Sequence, residues 1–288
     1  MKRLIMKSQR SSMISVFRVA LLIAIAIMPA GFASASDVKF AGEIVKLVAP
    51  VTLRYRTVDG AYSKITLETR TWVNKDSETT VVEAEFEVSA KSINGALHWN
   101  IDLVKLKQGS TEFSGSVPVI TLQRVTDNKG RVKRDTISYP LLKKLGKPEP
   151  LPGSDFYRSL NSTARRQGGT LLVLPDKPLN EGDLLYTVNA RDMFTLPVEG
   201  LTTSGGSEGR IRGATKYQGR DALVVEILGA LTVKGASIDL AGDVRGYRII
   251  DQETSLLLAS VTSLVLVGKI HGEKGGITLT RSVNSRLK

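Results

Sequence analysis

Apolar and polar residues alternate with a period of two through most of the chain after residue 50. From Thr80 to Val88, apolar residues such as Val82 and Phe86 occupy one face of a strand and glutamates occupy the other. This period, with many β-branched and aromatic residues, is typical of half-buried β-strands. The charged second face indicates that one side of the sheet meets water.

Segments of this kind follow one another almost to the end of the chain. Strands are predicted at 51–55, 65–72, 80–88, 97–103, 117–125, 132–139, 184–193, 210–217, 222–228, 237–240, 244–250, 256–267 and 277–282. Asp59-Gly60, Asn94-Gly95 and Gln218-Gly219 are predicted turns, and residues 273–276 are predicted to close the last hairpin. We therefore predict a mainly β fold, in which antiparallel sheets form a sandwich or a curved half-barrel, with one short helix in the central connection.

The central connection differs from the rest of the chain. Four prolines between 140 and 152 make a regular element unexpected over 141–153, whereas Ser154-Asp155 can cap a helix over 156–167. The predicted organisation is a signal peptide at 1–35, an N-terminal β unit at 36–139, a proline-rich linker with a short helix at 140–176, and a C-terminal β unit at 177–288. The pattern leaves open whether the two β units form one sheet system or two domains.

The N-terminus has the features of an export signal. Five basic residues precede an apolar run from Val19 to Met28, and Ala33-Ser34-Ala35 is a small-residue cleavage pattern. The apolar run is about half of the 20 residues that span a membrane. We predict cleavage after Ala35, no transmembrane segment afterwards, and a periplasmic or secreted protein.

Composition excludes several kinds of site. The chain has no cysteine and two histidines, so a disulfide scaffold, a thiolate metal site and a histidine-rich metal centre are not expected. No phosphate-binding loop or dinucleotide fingerprint occurs, and no cofactor is predicted. Without the signal, 35 basic and 28 acidic residues leave a net charge of +7, too dispersed to indicate nucleic-acid binding.

One basic cluster stands out at a predicted turn: Lys129, Arg131, Lys133 and Arg134. Such a cluster is either a solvated hairpin tip or a surface that binds an envelope protein or an anionic lipid surface.

Gly205 to Gly209 matches the G-x-S-x-G pattern of a serine nucleophile at Ser207, with Asp239, Asp243 or Asp251 and then His271 following in hydrolase order. That motif requires a strand before the serine and a helix after it, whereas here a Thr/Ser/Gly loop is expected to precede a strand. Carboxylates at Asp176, Glu181, Asp183 and Asp192 are interpreted as turn chemistry. No catalytic residue is assigned; a serine hydrolase through Ser207 remains a remote alternative.

The segment from Leu256 to Val267 is apolar on both faces. Such a strand is either the central strand of a sandwich core or the lining of an apolar cavity. For the second case, the candidate lining residues are Leu256, Leu258, Leu264 and Leu266, and the candidate ligand is a lipid or another apolar small molecule.

The phrase Leu174-Pro175-Asp176-Lys177-Pro178-Leu179-Asn180-Glu181-Gly182-Asp183 resembles one in uncharacterised secreted or periplasmic all-β bacterial proteins of unknown function. Residues 217–225, 242–247 and 251–254 are similar to their next strands and to a D-x-x-T turn, so the resemblance covers about residues 174–267. It implies an envelope location and a β fold, and no catalytic residues.

From all these features we predict a non-catalytic exported envelope protein that binds an apolar or amphipathic ligand or an envelope partner. The alternative is a structural or interaction protein that docks through sheet edges and the basic cluster.

Overall fold

The structure is a computed structural model that describes residues 40–149, 171–190 and 200–288. In chain order its elements are β1 Val58–Val73, β2 Asp76–Ile93, β3 Ala96–Gln108, β4 Thr111–Ser114, β5 Ile120–Thr126, β6 Val132–Ser138, α1 Pro140–Lys144, β7 Leu184–Asn189, β8 Thr202–Tyr217, β9 Arg220–Gly235, β10 Ile238–Asp251, β11 Leu257–Ile270 and β12 Glu273–Leu287. No helix in these ranges is both long and apolar enough to cross a membrane.

All twelve strands belong to one antiparallel sheet. Its order is β6-β5-β3-β2-β1-β12-β11-β10-β9-β8-β7, with β4 also paired to β3. The sheet stays open, with β6 and β7 at its two ends. Strand β1 pairs with β12 from Ala61↔Leu287 to Val73↔Gly275, so the two predicted β units are joined into a single sheet. The predicted fold class, mainly β with antiparallel strands, is confirmed.

The tight turns follow the residues that tolerate a left-handed backbone. Asn94 and Gly95 both have positive φ, at 51° and 75°, and connect β2 to β3 as predicted. Gln218-Gly219 likewise connects β8 to β9. Two predicted turns were wrong. Asp59-Gly60 lies inside β1 beside a bulge, and the last hairpin turns at His271-Gly272 rather than at 273–276, which belong to β12.

The predicted loop around Gly205–Gly209 is also wrong, because these residues are part of β8. The glycines permit unusually close approach to neighbouring strands. A Cβ placed on Gly206 would lie 2.4 Å from the Val188 carbonyl oxygen, and one on Gly209 would lie 2.2 Å from the Tyr186 ring. Glycine in a strand often marks such a close approach rather than a loop.

The central connection contains α1, although no regular element was expected there. Pro140 occupies the first turn of the helix, where its fixed φ suits the helix and its missing N–H leaves no bond unmade. The predicted helix over 156–167 and the export signal lie outside the described residues.

An N-terminal arm, residues 43–55, ties the two ends of the sheet together at one end of the strands. It pairs with β8 through Val45↔Ala214 and with residue 179 through Val51. Its far end reaches the β5–β6 turn, where the Tyr55 amide donates to the Asn128 carbonyl oxygen at 2.8 Å. Because β5 and β8 are far apart in the strand order, the sheet must curve to meet the same arm.

Curvature also explains how the apolar residues are distributed. The face that we call the inner face carries a large cluster uniting both ends of the sheet, such as Trp99 and Leu122 with Ile211 and Leu223, at the end closed by the arm. A second inner cluster lies further along β9–β12. The outer face has a small cluster around Val224, Ile249 and Leu258.

Candidate functional site

The four leucines proposed from the sequence as a cavity lining do not share one surface. Leu256 belongs to the large inner cluster, whereas Leu264 and Leu266 belong to the second inner cluster. Leu258 lies on the outer face with Ile249. A register irregularity between β10 and β11 near Leu258 turns this part of the strand, so Leu257 and Leu258 face opposite sides of the sheet. Both faces of β11 stay buried or half-buried as far as Leu264, and the outer face is exposed at Val267.

The second inner cluster is made by alternate residues of four neighbouring strands. Its buried members are Ala190, Ile227, Leu231, Val233, Leu240, Val244, Leu264, Leu266 and Ile270. Cross-strand pairs hold them in rows, for example Val244↔Leu264 and Leu264↔Leu279. At this end of the strands, the hydrogen bonds between described residues join neighbouring strands only, without a crossing segment like the arm.

A row of polar side chains separates the two inner clusters. Arg248 of β10 is opposite Ser260 of β11, and Arg281 of β12 is opposite Thr262 of β11. Both arginines occupy inner positions, because Arg248 follows Val244 by four residues and Arg281 follows Leu279 by two. Two cations therefore project into the apolar side of the sheet, with one strand between them.

Tyr186 of β7 completes this group, which we call the arginine row: Tyr186, Arg248, Ser260, Thr262 and Arg281. The tyrosine ring lies over Gly209 of β8, where any side chain would collide with it. It extends toward β10, so that the Arg248 guanidinium carbon is 4.5 Å from the ring centroid, a cation–π contact.

Several polar atoms of the arginine row are buried without a hydrogen-bond partner. They are the Tyr186 hydroxyl, the Arg248 Nε and the Ser260 hydroxyl, and Ser260 is only 1% exposed. Leaving a buried donor or acceptor unsatisfied costs about 1–3 kcal/mol for each group. If this region were an ordinary packed core, these unsatisfied atoms would lower the stability of the protein.

The electrostatics of the arginine row are those of uncompensated positive charge. Burial lowers the pKa of Arg281 to about 10, and repulsion from Arg248 acts in the same direction. Arg281 nevertheless remains protonated at neutral pH. Burial raises the pKa of Tyr186, and the charges of Arg248 and Arg281 oppose that rise, which places all three groups within electrostatic range of one another.

Two other arginines of this protein have carboxylate partners. Arg124, also on the inner face, donates to both oxygens of Asp135 at 2.8 and 3.0 Å. Arg220 donates to both oxygens of Asp251 at 2.7 and 3.2 Å. The cross-strand neighbours of Arg248 are Val225 and Ser260, and no acidic residue in the described ranges forms an ion pair with Arg248 or Arg281.

The basic cluster proposed from the sequence does not form one charged surface. Lys129 is 6% exposed, and its ammonium donates to the carbonyl oxygens of Leu53 at 2.9 Å and Pro175 at 2.8 Å. Burial lowers its pKa. Arg131 is paired with Asp127 and Asp176, so its charge is compensated. Lys133 and Arg134 are exposed on β6. The cluster is partly an internal connection between the β5–β6 turn and the arm.

Ser207 lies within β8, paired with Gly229 on one side and Val188 on the other, and is 5% exposed. It is not at the strand-to-helix turn that a nucleophile elbow requires. His271 is in the β11–β12 turn, seven residues beyond Leu264, and Leu264 lies in the row of Gly229. At 3.3 Å per residue, that separates Ser207 from His271 by roughly 20 Å or more.

The carboxylates proposed as turn residues behave as such where they are described. Asp183 accepts a hydrogen bond from the Asn180 amide at 2.8 Å, and Asp176 pairs with Arg131. Asp192 lies outside the described residues. Within the described ranges, no group of three or more His, Cys, Asp or Glu side chains is arranged to hold a metal ion.

Sequence reasoning missed the arginine row, although the sequence contains a signal for it. In Ile277-x-Leu279-x-Arg281-x-Val283, an arginine interrupts the apolar positions of a period-two pattern. The same occurs with Arg248 between Val244 and Ile250. A charge on the apolar face of a strand is unusual unless it is paired, so each interruption indicates a special site.

No model of a protein family matches this chain, and no curated protein sequence is significantly similar to it. Among solved structures, a DUF1329 family protein from Desulfovibrio piger aligns with 80% of this chain and 86% of its own, at 11% identity and a TM-score of 0.22. A protein described as an outer membrane lipoprotein-sorting domain, from Vibrio parahaemolyticus, aligns over 79% and 85%, at 11% identity and a TM-score of 0.13. At such low TM-scores these similarities support no conclusion about function.

Proposed function

We propose that this protein is exported to the cell envelope and binds an apolar or amphipathic ligand on the inner face of its curved sheet. The observation that carries the proposal is the set of buried polar atoms without partners among the apolar inner positions, namely the Tyr186 hydroxyl, the Arg248 Nε and the Ser260 hydroxyl. Natural cores rarely keep such atoms unless a ligand or water satisfies them. An export signal at residues 1–35 supports the envelope location.

The geometry supports a ligand that reaches the inner face from the end opposite the arm. The arm and the β5–β6 turn close one end, where the large inner cluster is packed. The second inner cluster lies toward the other end, where Ile277 and Leu279 of β12 are only partly buried and leave apolar surface for a hydrocarbon chain. Burial of apolar surface contributes about 25 cal/mol per Å², so contact of a hydrocarbon chain with this surface favours binding.

The alternative is a structural or interaction protein that docks through sheet edges and the basic cluster, and the basic cluster gives it little support. Of the four cluster residues, Lys129 is buried and Arg131 is paired with two aspartates. A strong positive patch at the β5–β6 hairpin is therefore absent from the described surface.

The test uses the absence of cysteine from the chain. Leu279→Cys places a thiol on the inner face beside Leu264, and Thr280→Cys places one on the outer face of the same strand as a matched control. We expect dodecanol, or a lipid extract of the native envelope, to slow maleimide labelling of Cys at 279 and to leave labelling at 280 unchanged. Native mass spectrometry of the same samples should show a stoichiometric adduct. A bare mass together with equal labelling rates at both positions would refute the proposal.

A further inference from the structure

We propose that the arginine row is a binding site for the anionic head group of an amphipathic ligand, with Arg248 and Arg281 as the charge-recognising residues and Tyr186 and Ser260 as additional hydrogen-bond donors. This inference rests on the proposed function and specifies its ligand class, a chain with a carboxylate or phosphate head.

The arginine row lies between the two inner clusters, where the head group of an amphipathic ligand would lie. Arg248 is between Val244 of the second inner cluster and Ile250 of the large inner cluster, and Arg281 is between Leu279 and Val283 in the same way. The two strands are separated only by β11, so the Cα atoms of their inner rows are about 10 Å apart across the sheet. An anionic group held at the row would leave its hydrocarbon chain against the second inner cluster.

The positive charges of Arg248 and Arg281 indicate that the ligand of the arginine row carries an anionic group. Burial lowers the pKa of Arg281, and the nearby positive charge of Arg248 acts in the same direction. An unpaired buried charge is costly, and proteins normally compensate it with an opposite charge. The buried donors without partners, Arg248 Nε and the Tyr186 hydroxyl, would be satisfied by the oxygens of a carboxylate or a phosphate.

Arg124 shows that the sheet can supply a counter-charge to an arginine on its inner face. Arg124 is 8% exposed and forms a bidentate ion pair with Asp135 across β5 and β6. Arg248 and Arg281 have as cross-strand neighbours Val225, Ser260, Thr262 and Leu67, none of which can accept a charge-assisted bond as a carboxylate does. Among the described residues, the fold therefore supplies a counter-charge to Arg124 on the inner face and none to Arg248 or Arg281.

The binding test uses three ligands with the same hydrocarbon tail: dodecanoate, dodecyl phosphate and neutral dodecanol. We expect the wild-type protein to bind both anions roughly 10- to 100-fold more tightly than dodecanol, the gain expected from charge-assisted hydrogen bonds. The double variant Arg248→Met and Arg281→Met should lose this preference while it keeps its affinity for dodecanol. Arg286→Met, on the exposed outer face of β12, is the matched control and should retain the preference.

Stability of the ligand-free protein gives an independent readout. Removal of an uncompensated buried charge should raise the melting temperature, so Arg248→Met and Arg281→Met are expected to stabilise the protein. Arg124→Met should lower it, because Asp135 would lose its partner. If the double variant were destabilised as Arg124→Met is, the two arginines would already be paired within the chain and the inference would be wrong.

The outcomes separate this inference from the proposed function. If all three ligands bind equally well, or if the double variant keeps the preference for anions, the inference fails while apolar binding stands. If none of the three binds, the proposed function fails as well. Tighter binding of dodecyl phosphate than of dodecanoate would assign the head group to a phospholipid, and the reverse order would assign it to a fatty acid.

Discussion

Substitution of Lys129 tests whether its hydrogen bonds to the arm stabilise the curved sheet. Its ammonium joins three separate parts of the chain, since the lysine is in the β5–β6 turn and its acceptors are the carbonyl oxygens of Leu53 in the arm and of Pro175. Lys129→Met keeps most of the apolar stem and removes only the two charge-assisted hydrogen bonds. The substitution therefore isolates the polar connection between the turn and the arm.

The expected loss follows from the two bonds. Each hydrogen bond to a charged group contributes about 1.5–3 kcal/mol, and relief of the desolvation of a buried ammonium offsets part of that sum, so we expect about 2–4 kcal/mol. For a domain of this size, such a loss lowers the melting temperature by roughly 5–15 °C. The burial that lowers the pKa of Lys129 is consistent with this partial compensation.

Urea unfolding followed by circular dichroism measures the change in free energy, and limited proteolysis of the arm reports whether the connection loosens locally. Lys133→Met is the matched control, because Lys133 is an exposed residue of the same hairpin and its loss should change stability by at most about 0.5 kcal/mol. If Lys129→Met and Lys133→Met had equal effects, Lys129 would be an ordinary surface lysine, and the proposed anchoring of the arm would be refuted.

Two pH-dependent effects are also expected. Burial alone would raise the pKa of Asp251, but hydrogen bonds from Arg220 and Thr254 outweigh it and hold the pKa below 3.8, so its contribution is present above about pH 4 and is lost at lower pH. Asp251→Asn should therefore destabilise the protein by about 3–5 kcal/mol at pH 7 and make unfolding less dependent on pH between 4 and 2, as seen in acid titrations by circular dichroism. Burial raises the pKa of Tyr55 above 10, so stability should fall as the pH rises beyond 10, and Tyr55→Phe should reduce that fall in alkaline unfolding monitored by tyrosinate absorbance. Equal pH profiles for variant and wild type would contradict either expectation.

Local patterns predicted the secondary structure well where the physical cause was local. The Asn94-Gly95 turn is an example, because both residues accept the positive φ that a two-residue hairpin requires. Glycine was a less reliable guide. Gly206 and Gly209 suggested a loop, yet they lie inside β8, because what they provide is close contact with β7 rather than flexibility. That contact depends on a neighbouring strand and cannot be read from the glycines alone.

Charge was misjudged for a similar reason. Lys129, Arg131, Lys133 and Arg134 are close in sequence and suggested one basic surface. The partners of Lys129, however, are Leu53 in the arm, 76 residues away in sequence, and Pro175, 46 residues away. Conversely, Arg248 and Arg281 are 33 residues apart in sequence and meet only because β10 and β12 flank β11. Which charges are compensated is decided by contacts that sequence distance does not reveal.

The sequence by itself determined the strand-rich character of the chain, its antiparallel hairpins and the features of an export signal, because each follows from residues that are neighbours in the chain. Only the tertiary structure decided that β1 pairs with β12 to make one open sheet, that the arm closes one end of it, and that Leu258 faces away from Leu264. It also gathered Tyr186, Arg248 and Arg281 on one face, where no carboxylate of the described residues pairs with either arginine. Curvature and strand order are cooperative properties of the whole sheet, so the arginine row exists only once the sheet has formed.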